Sequence, residues 1–472
     1  MVNKISFLLL FFSLISFGQN EKNYVLFSGN IKNTQETIIK ISNYEKSIEK
    51  DVMIDALGNF KDTLYIKEDG NYYYQSGKSY SSMFLRKGDD LYITLDADDF
   101  YRATKYTGKG SLVNNYHVAR STLKASFVGD PKDYFVVPVT DFLQKIAKEK
   151  LAFLDLLETW NLDSEDKEVQ RKVIEHDYLQ IRNSYDKFNF YHTQIHPELP
   201  LNYYDPIKNM YVDDEQSFKN NGSYRNMVVE NWRLGSKDAQ EKDPNLSIID
   251  YTKQYIKDLK STKIKDYVVS MLFKQMNAKN ENFEKDYVEI MSLLTNDYMK
   301  EKLTTRYQSA NATKPEMASV GFDYENYAGG KTSLEDLKGK IVYVEIWATW
   351  CGPCIKEMPY LTEIIKEYKD NENIVFVNIS IDAINEYDKW RAMVPEKNVG
   401  GIQLLADNGL QSEFMKFYSV GLIPRSIMLD AEGNIISQHA PRPSSKDIRT
   451  FINDILNKKA TTFAPAVKTM KN

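Results

Sequence analysis

The hydrophobic pattern of this chain changes period twice, and that change limits what it can fold into. From about residue 24 to 110, short alternating apolar runs recur, among them Thr37-Ile38-Ile39-Lys40-Ile41, Thr63-Leu64-Tyr65-Ile66 and Leu91-Tyr92-Ile93-Thr94-Leu95. Leu57-Gly58-Asn59, Asp69-Gly70-Asn71 and Lys87-Gly88-Asp89-Asp90 separate them as turns. Short strands at this spacing predict an all-β sandwich or barrel over residues 19–110. The period then becomes helical. Ile174, Tyr178, Ile181, Tyr185 and Phe188 mark one helix face. Phe142 and Ile146, with Leu143, Ala147, Leu151 and Leu154, mark another. A helical region over 111–312 follows, its Tyr and Leu stripes serving as core. After Asn311-Ala312-Thr313-Lys314-Pro315 the pattern changes again. The apolar runs Lys340 to Trp347 and Ile374 to Ser380 flank a helical stretch from Glu357 to Tyr368. That order predicts a buried α/β sheet over 313–458. The basic stretch 459–472 is expected to be a disordered tail.

At 472 residues, several domains are expected. The formal net charge of −5 disfavours a generic nucleic-acid binder. The only long apolar run, Ile5 to Ile15, follows Lys4 and ends in Ser16-Phe17-Gly18. It has the form of a cleaved signal peptide over residues 1–18, which would deliver the chain to the periplasm or cell envelope.

Two cysteines exclude a disulfide-stapled scaffold, and both lie in Trp350-Cys351-Gly352-Pro353-Cys354. Cys-x-x-Cys after a buried strand, opening a helix, suits a dithiol redox centre. The first sulfur then sits at a helix N-terminus, where unpaired N–H groups favour its anion. Lowering a thiol from about 8.5 to about 7 raises its thiolate fraction at neutral pH from a few per cent to about half. Cys351 would attack a disulfide, and Cys354, expected to be the more buried, would resolve the mixed disulfide. Structural zinc usually takes four ligands, and no second cysteine pair exists; haem attachment needs His where Ile355 stands. No metal or further cofactor is expected. His192 and His196 have metal-like spacing but lack an intervening Glu base.

The stretch from Val344 to Cys354 resembles a thioredoxin active site, and Pro359 matches the proline that kinks the helix behind it. Gly421-Leu422-Ile423-Pro424 resembles the family's cis-proline loop. This resemblance implies a thioredoxin-like fold over 313–458, with Trp350, Gly352, Pro353, Ile423 and Pro424 contacting substrate. Arg425 departs from the Thr usual after that proline. Glu345, six residues before Cys351, stands where thioredoxins bury an Asp, which implies a proton acceptor for Cys354. Glu357, three residues after Cys354, and the extra segment 382–401 with Trp390 resemble the TlpA/ResA-like branch of the bacterial cell envelope. Glu357 is a second candidate base. The β region resembles a module of unknown function that precedes such domains.

The resemblance implies a reductase of protein disulfides, for instance in cytochrome c maturation. With two cysteines the chain holds no second dithiol, so a separate donor, a membrane dithiol carrier, is implied. A disulfide oxidase or isomerase is the alternative, as is a cell-envelope binding protein carrying a thioredoxin-like domain. A thiol peroxidase is disfavoured, because Trp347-Ala348-Thr349-Trp350 lacks the proline that such a site places upstream.

Overall fold

Alternation of buried and exposed residues drives the first part of the chain into strands. In β1 (Tyr24–Lys32) every second residue points inward, Val25, Phe27 and Ile31 among them. β2 (Ile38–Asn43), β3 (Glu49–Met53), β4 (Asn59–Tyr65), β5 (Gly70–Ser76), β6 (Ser79–Leu85), β7 (Asp90–Asp96) and β8 (Lys105–Lys109) follow. They form two four-stranded sheets, ordered β4-β1-β7-β8 and β3-β2-β5-β6. Phe27, Ile93, Ile41, Tyr74 and Met83 belong to one apolar cluster shared by both sheets, so of the sandwich and barrel that the period of two allows, this is the sandwich. The computed structural model describes residues 23–44, 48–77, 79–100, 103–276 and 280–462. The expected signal peptide, 1–18, lies outside them.

The helical region opens with α1 (Ser111–Val128), α2 (Val139–Thr159) and α3 (Ser164–Thr193), and continues with α4 (Gly222–Lys242). Phe142 stacks on Tyr185 at 4.4 Å, which joins the two predicted stripes in one core. The α2 stripe runs through Phe142, Ile146, Glu149, Phe153 and Leu157, while Leu151 is exposed. Glu149 is taken inside because the Tyr134 hydroxyl donates to it at 2.5 Å.

The chain divides into two compact units, Met1–Val268 and Val269–Asn472, so the β region and most of the helical region form one body. The joint is specific. Asn114 on α1 accepts from the Phe84 N–H at 2.7 Å and donates to the Phe84 carbonyl at 2.8 Å. Its amide therefore continues the ladder at the edge strand β6. Phe84 then packs with Val113, Tyr116 and Phe153 of the helices.

The second unit takes in the last helices before residue 313. On α5 (Asp297–Ala312), the Arg306 guanidinium donates to the Phe273 carbonyl, and the Ser309 hydroxyl lies 2.8 Å from that of Ser419. Beyond α5 come β9 (Asp323–Asn326), β10 (Lys331–Ser333), β11 (Ile341–Trp347), α6 (Gly352–Glu367), β12 (Ile374–Ser380) and α7 (Tyr387–Lys397). β13 (Ile402–Leu405), β14 (Arg425–Leu429), β15 (Ile435–Ser437) and α8 (Ile448–Thr462) complete it. α8 continues past residue 458, so residues 459–462 of the expected tail are helical. The sheet is ordered β10-β9-β13-β12-β11-β14-β15, with β11, β12 and β13 parallel. All seven residues of β11 are buried, as a strand covered on both faces requires. Trp390 on α7, in the segment expected to hold an extra helix, is fully buried. Among the described residues no helix is long and apolar enough to cross a membrane.

Candidate active site

The central strand β11 delivers the site. At its carboxyl end Ala348, Thr349 and Trp350 form a short loop, and Cys351 caps α6. Cys351 and Cys354 are joined as a disulfide, with Cα atoms 5.3 Å apart. The Cys354 N–H donates to Cys351 Sγ at 3.1 Å, so the sulfur takes the place of a capping oxygen. A thiolate there would meet the same donor and the positive end of α6. Pro353 fits the first turn, where a missing N–H has no helical partner. Pro359 stands inside α6, as expected from the sequence. In the disulfide, Cys351 and Cys354 are 4% and 3% exposed as residues, so burial does not separate the two. Trp350, Gly352 and Pro353 form an exposed rim.

Glu345 lies in the sheet beneath the helix start. The register pairs it with Asn378 on β12 and with Ser426 on β14. Burial pushes its carboxyl up from 4.5 to about 7; the nearby Glu357 charge adds to the rise, while the Ser426 hydroxyl opposes it. Oε2 accepts from Ser426 Oγ at 2.6 Å, and among the described residues Oε1 has no hydrogen-bond partner. The hydroxyl of Tyr343, two residues back, donates to the Pro441 carbonyl. Glu345 and Cys354 line one cavity of about 10 Å3 with Trp347, Asn378 and Glu357. Asn378 Nδ2 donates to the Gly400 carbonyl at 3.0 Å, which turns its unpartnered Oδ1 away from that bond.

Glu357, the second candidate base, is tied to another part of the chain. Its two oxygens accept from the Ser444 N–H at 2.9 Å and the Ser444 hydroxyl at 2.8 Å, which pins the loop before α8. It still lines the cavity and acts on Glu345 through its charge. The Ile423–Pro424 bond is cis, as the resemblance implies. Since Ile346 pairs with Arg425, Pro424 comes to the same sheet end as the dithiol loop. Arg425 donates to the Gln438 carbonyl at 2.8 Å, and burial pushes its guanidinium down to about 10. His196, half of the metal-like spacing, lies 2.8 Å from Asp186 and stacks on Phe190.

One part of the site escapes sequence reasoning. The buried carboxylate of Asp382 accepts from the Thr349 N–H at 2.9 Å, the Thr349 hydroxyl at 2.8 Å and the Ser380 hydroxyl at 2.6 Å. It holds the loop that carries Cys351. Its only sequence signal is its place, a charged residue directly after an apolar strand.

A dithiol capping a helix at the carboxyl end of a central parallel strand, beside a cis-proline, defines a thioredoxin-like oxidoreductase. The Redoxin family model matches residues 313–452. A thiol-disulfide oxidoreductase ResA of Bacillus cereus is 30% identical over 156 residues, covering 32% of this chain and 86% of the relative. The thioredoxin-like protein YneN of Bacillus subtilis is 32% identical over 127 residues, covering 27% and 72% respectively. A solved structure of a putative thiol-disulfide oxidoreductase from Bacteroides vulgatus is 31% identical; the match covers 31% of this chain and 99% of that one, with a TM-score of 0.28. Through this domain the chain belongs to the TlpA/ResA-like thiol–disulfide oxidoreductases of the thioredoxin family.

Proposed function

We propose that the chain reduces protein disulfides in the periplasm or cell envelope, with cytochrome c maturation as one setting. The observation that carries this reading is the Cys351–Cys354 pair at the start of α6, above a buried carboxyl raised to about 7. In the reduced protein the Cys351 thiolate attacks one sulfur of a substrate disulfide. A mixed disulfide forms and the other substrate sulfur leaves as thiolate. Cys354 passes its proton to Glu345, directly or through one water, which is the room the cavity offers. Its thiolate then attacks Cys351 Sγ and releases the second substrate sulfur. Two electrons have moved to the substrate, and the Cys351–Cys354 disulfide remains. A dithiol donor, by our reading a membrane carrier, returns it to the reduced state. By this reading Trp350, Gly352, Pro353, Ile423 and Pro424 contact the substrate.

The test is the reduction potential of the pair, read from tryptophan fluorescence in a redox-buffer titration. A value at or below about −250 mV supports the reductase. A value between about −120 and −180 mV overturns it in favour of an oxidase or isomerase.

A further inference from the structure

The edge of the sheet that carries the dithiol also carries a groove of about 580 Å3, which starts at Trp350 and crosses the carboxyl ends of β12 and β13. In an open sheet of parallel strands this edge is where ligands are received. Ile381, Leu405 and Ala406 are buried beneath it. On its rim Trp350 is 58% exposed and Ile384 84% exposed. Gly409, with φ +51°, lets the loop after β13 close against the end of β12; a Cβ there would lie 2.9 Å from the Ile381 carbonyl oxygen.

The charges that line the groove are one-sided. Five are carboxylates, and the sixth, Lys331, pairs with Asp323 at 3.3 Å. Glu386 has Lys389 at 3.2 Å. Glu325 accepts from the Tyr387 hydroxyl, and Asp382 from Thr349 and Ser380. Those donors are neutral and leave the negative charge standing. Asp407 is exposed on the rim.

We infer that this groove seats the polypeptide segment next to the reacting cysteine of the partner protein, and that the segment is basic with an apolar side chain. The apolar side chain lies against Trp350 and Ile384, and a Lys or Arg lies toward Asp407 and Glu325. Charge complementarity selects that partner over an acidic one and speeds encounter at low salt. The inference rests on the oxidoreductase reading for its partner, and two readouts separate the two.

The first readout is kinetic. The full reduced chain is mixed with two disulfide-bonded peptides that differ only in carrying Lys or Glu beside the cysteine. Bis(2-hydroxyethyl) disulfide serves as the small neutral reference. The basic peptide is expected to react about tenfold faster than the acidic one at low salt, with the gap closing as salt rises. In D407K the ratio of the basic-peptide rate to the reference rate is expected to fall severalfold. Equal rates for the two peptides, or a ratio unmoved in D407K, overturns the groove. The second readout is binding of the cysteine-free basic peptide, followed by Trp350 fluorescence and weakened in D407K. Binding without reaction on any disulfide overturns the redox reading and supports the groove, and no binding overturns the groove.

Discussion

Replacing Glu345 by Gln removes a charge that the fold holds at a cost. Burial raises its carboxyl from 4.5 to about 7. At pH 4 and below, the group is protonated in both the folded and the unfolded chain and the penalty is absent. As pH rises from about 4.5, the unfolded chain releases its proton first. The folded state then binds more protons, and stability falls until the folded carboxyl has also ionised, near pH 7. The gap between the two values corresponds to roughly 3 kcal/mol. E345Q is uncharged throughout and keeps an oxygen for the Ser426 hydroxyl. Asn378, whose Oδ1 accepts no hydrogen bond among the described residues, lines the same cavity. The variant is therefore expected to match the wild type near pH 4 and to exceed it by up to about 3 kcal/mol at pH 8. Hydrogen exchange of the β11 peptides, compared at equal pH, reports this sheet separately from the first unit. Resolution of the mixed disulfide is expected to slow about a hundredfold in the same variant, and its pH profile to lose the inflection near 7. A stability difference that is the same at pH 4 and pH 8 would refute the assignment of the buried charge.

Other substitutions separate neighbouring roles. E357Q removes the charge that helps raise Glu345, so the Glu345 inflection should move down toward the ordinary carboxylate range; NMR titration of the Glu345 carboxyl checks this. D382N replaces one accepting oxygen beneath Thr349 and Ser380, at an expected cost of about 1–3 kcal/mol in thermal unfolding, with altered alkylation of reduced Cys351. C354S should accumulate a mixed disulfide with a protein substrate on non-reducing gels, whereas C351S should form none. N114A strips both hydrogen bonds from Phe84 at the β6 edge and should lower the stability of the first unit by about 2 kcal/mol, measured by urea unfolding.

Much of this molecule is legible in its sequence because the patterns involved are local. Alternation of apolar residues marks strands such as β2, β5 and β7, steps of three and four mark the helix faces, and a continuous apolar run marks β11. The cysteine spacing and Pro353 place the dithiol at a helix start without knowledge of anything distant. Glu345 was reachable by its distance from Cys351. Its raised carboxyl follows from the burial that the resemblance implies, whereas the opposing bond from Ser426, on a strand far along the chain, was not legible. That both oxygens of Glu357 accept from Ser444, 87 residues away, was not legible. Asp382 carried no motif at all. The division into two units also lay beyond sequence, since Asn114 binding the edge strand β6 and Ser309 meeting Ser419 are matches between surfaces. Local periodicity and spacing determine which segments become strand or helix and where the sulfurs stand. Burial, charge and hydrogen-bond partners belong to groups that only the tertiary fold brings together, and on these the proton chemistry depends.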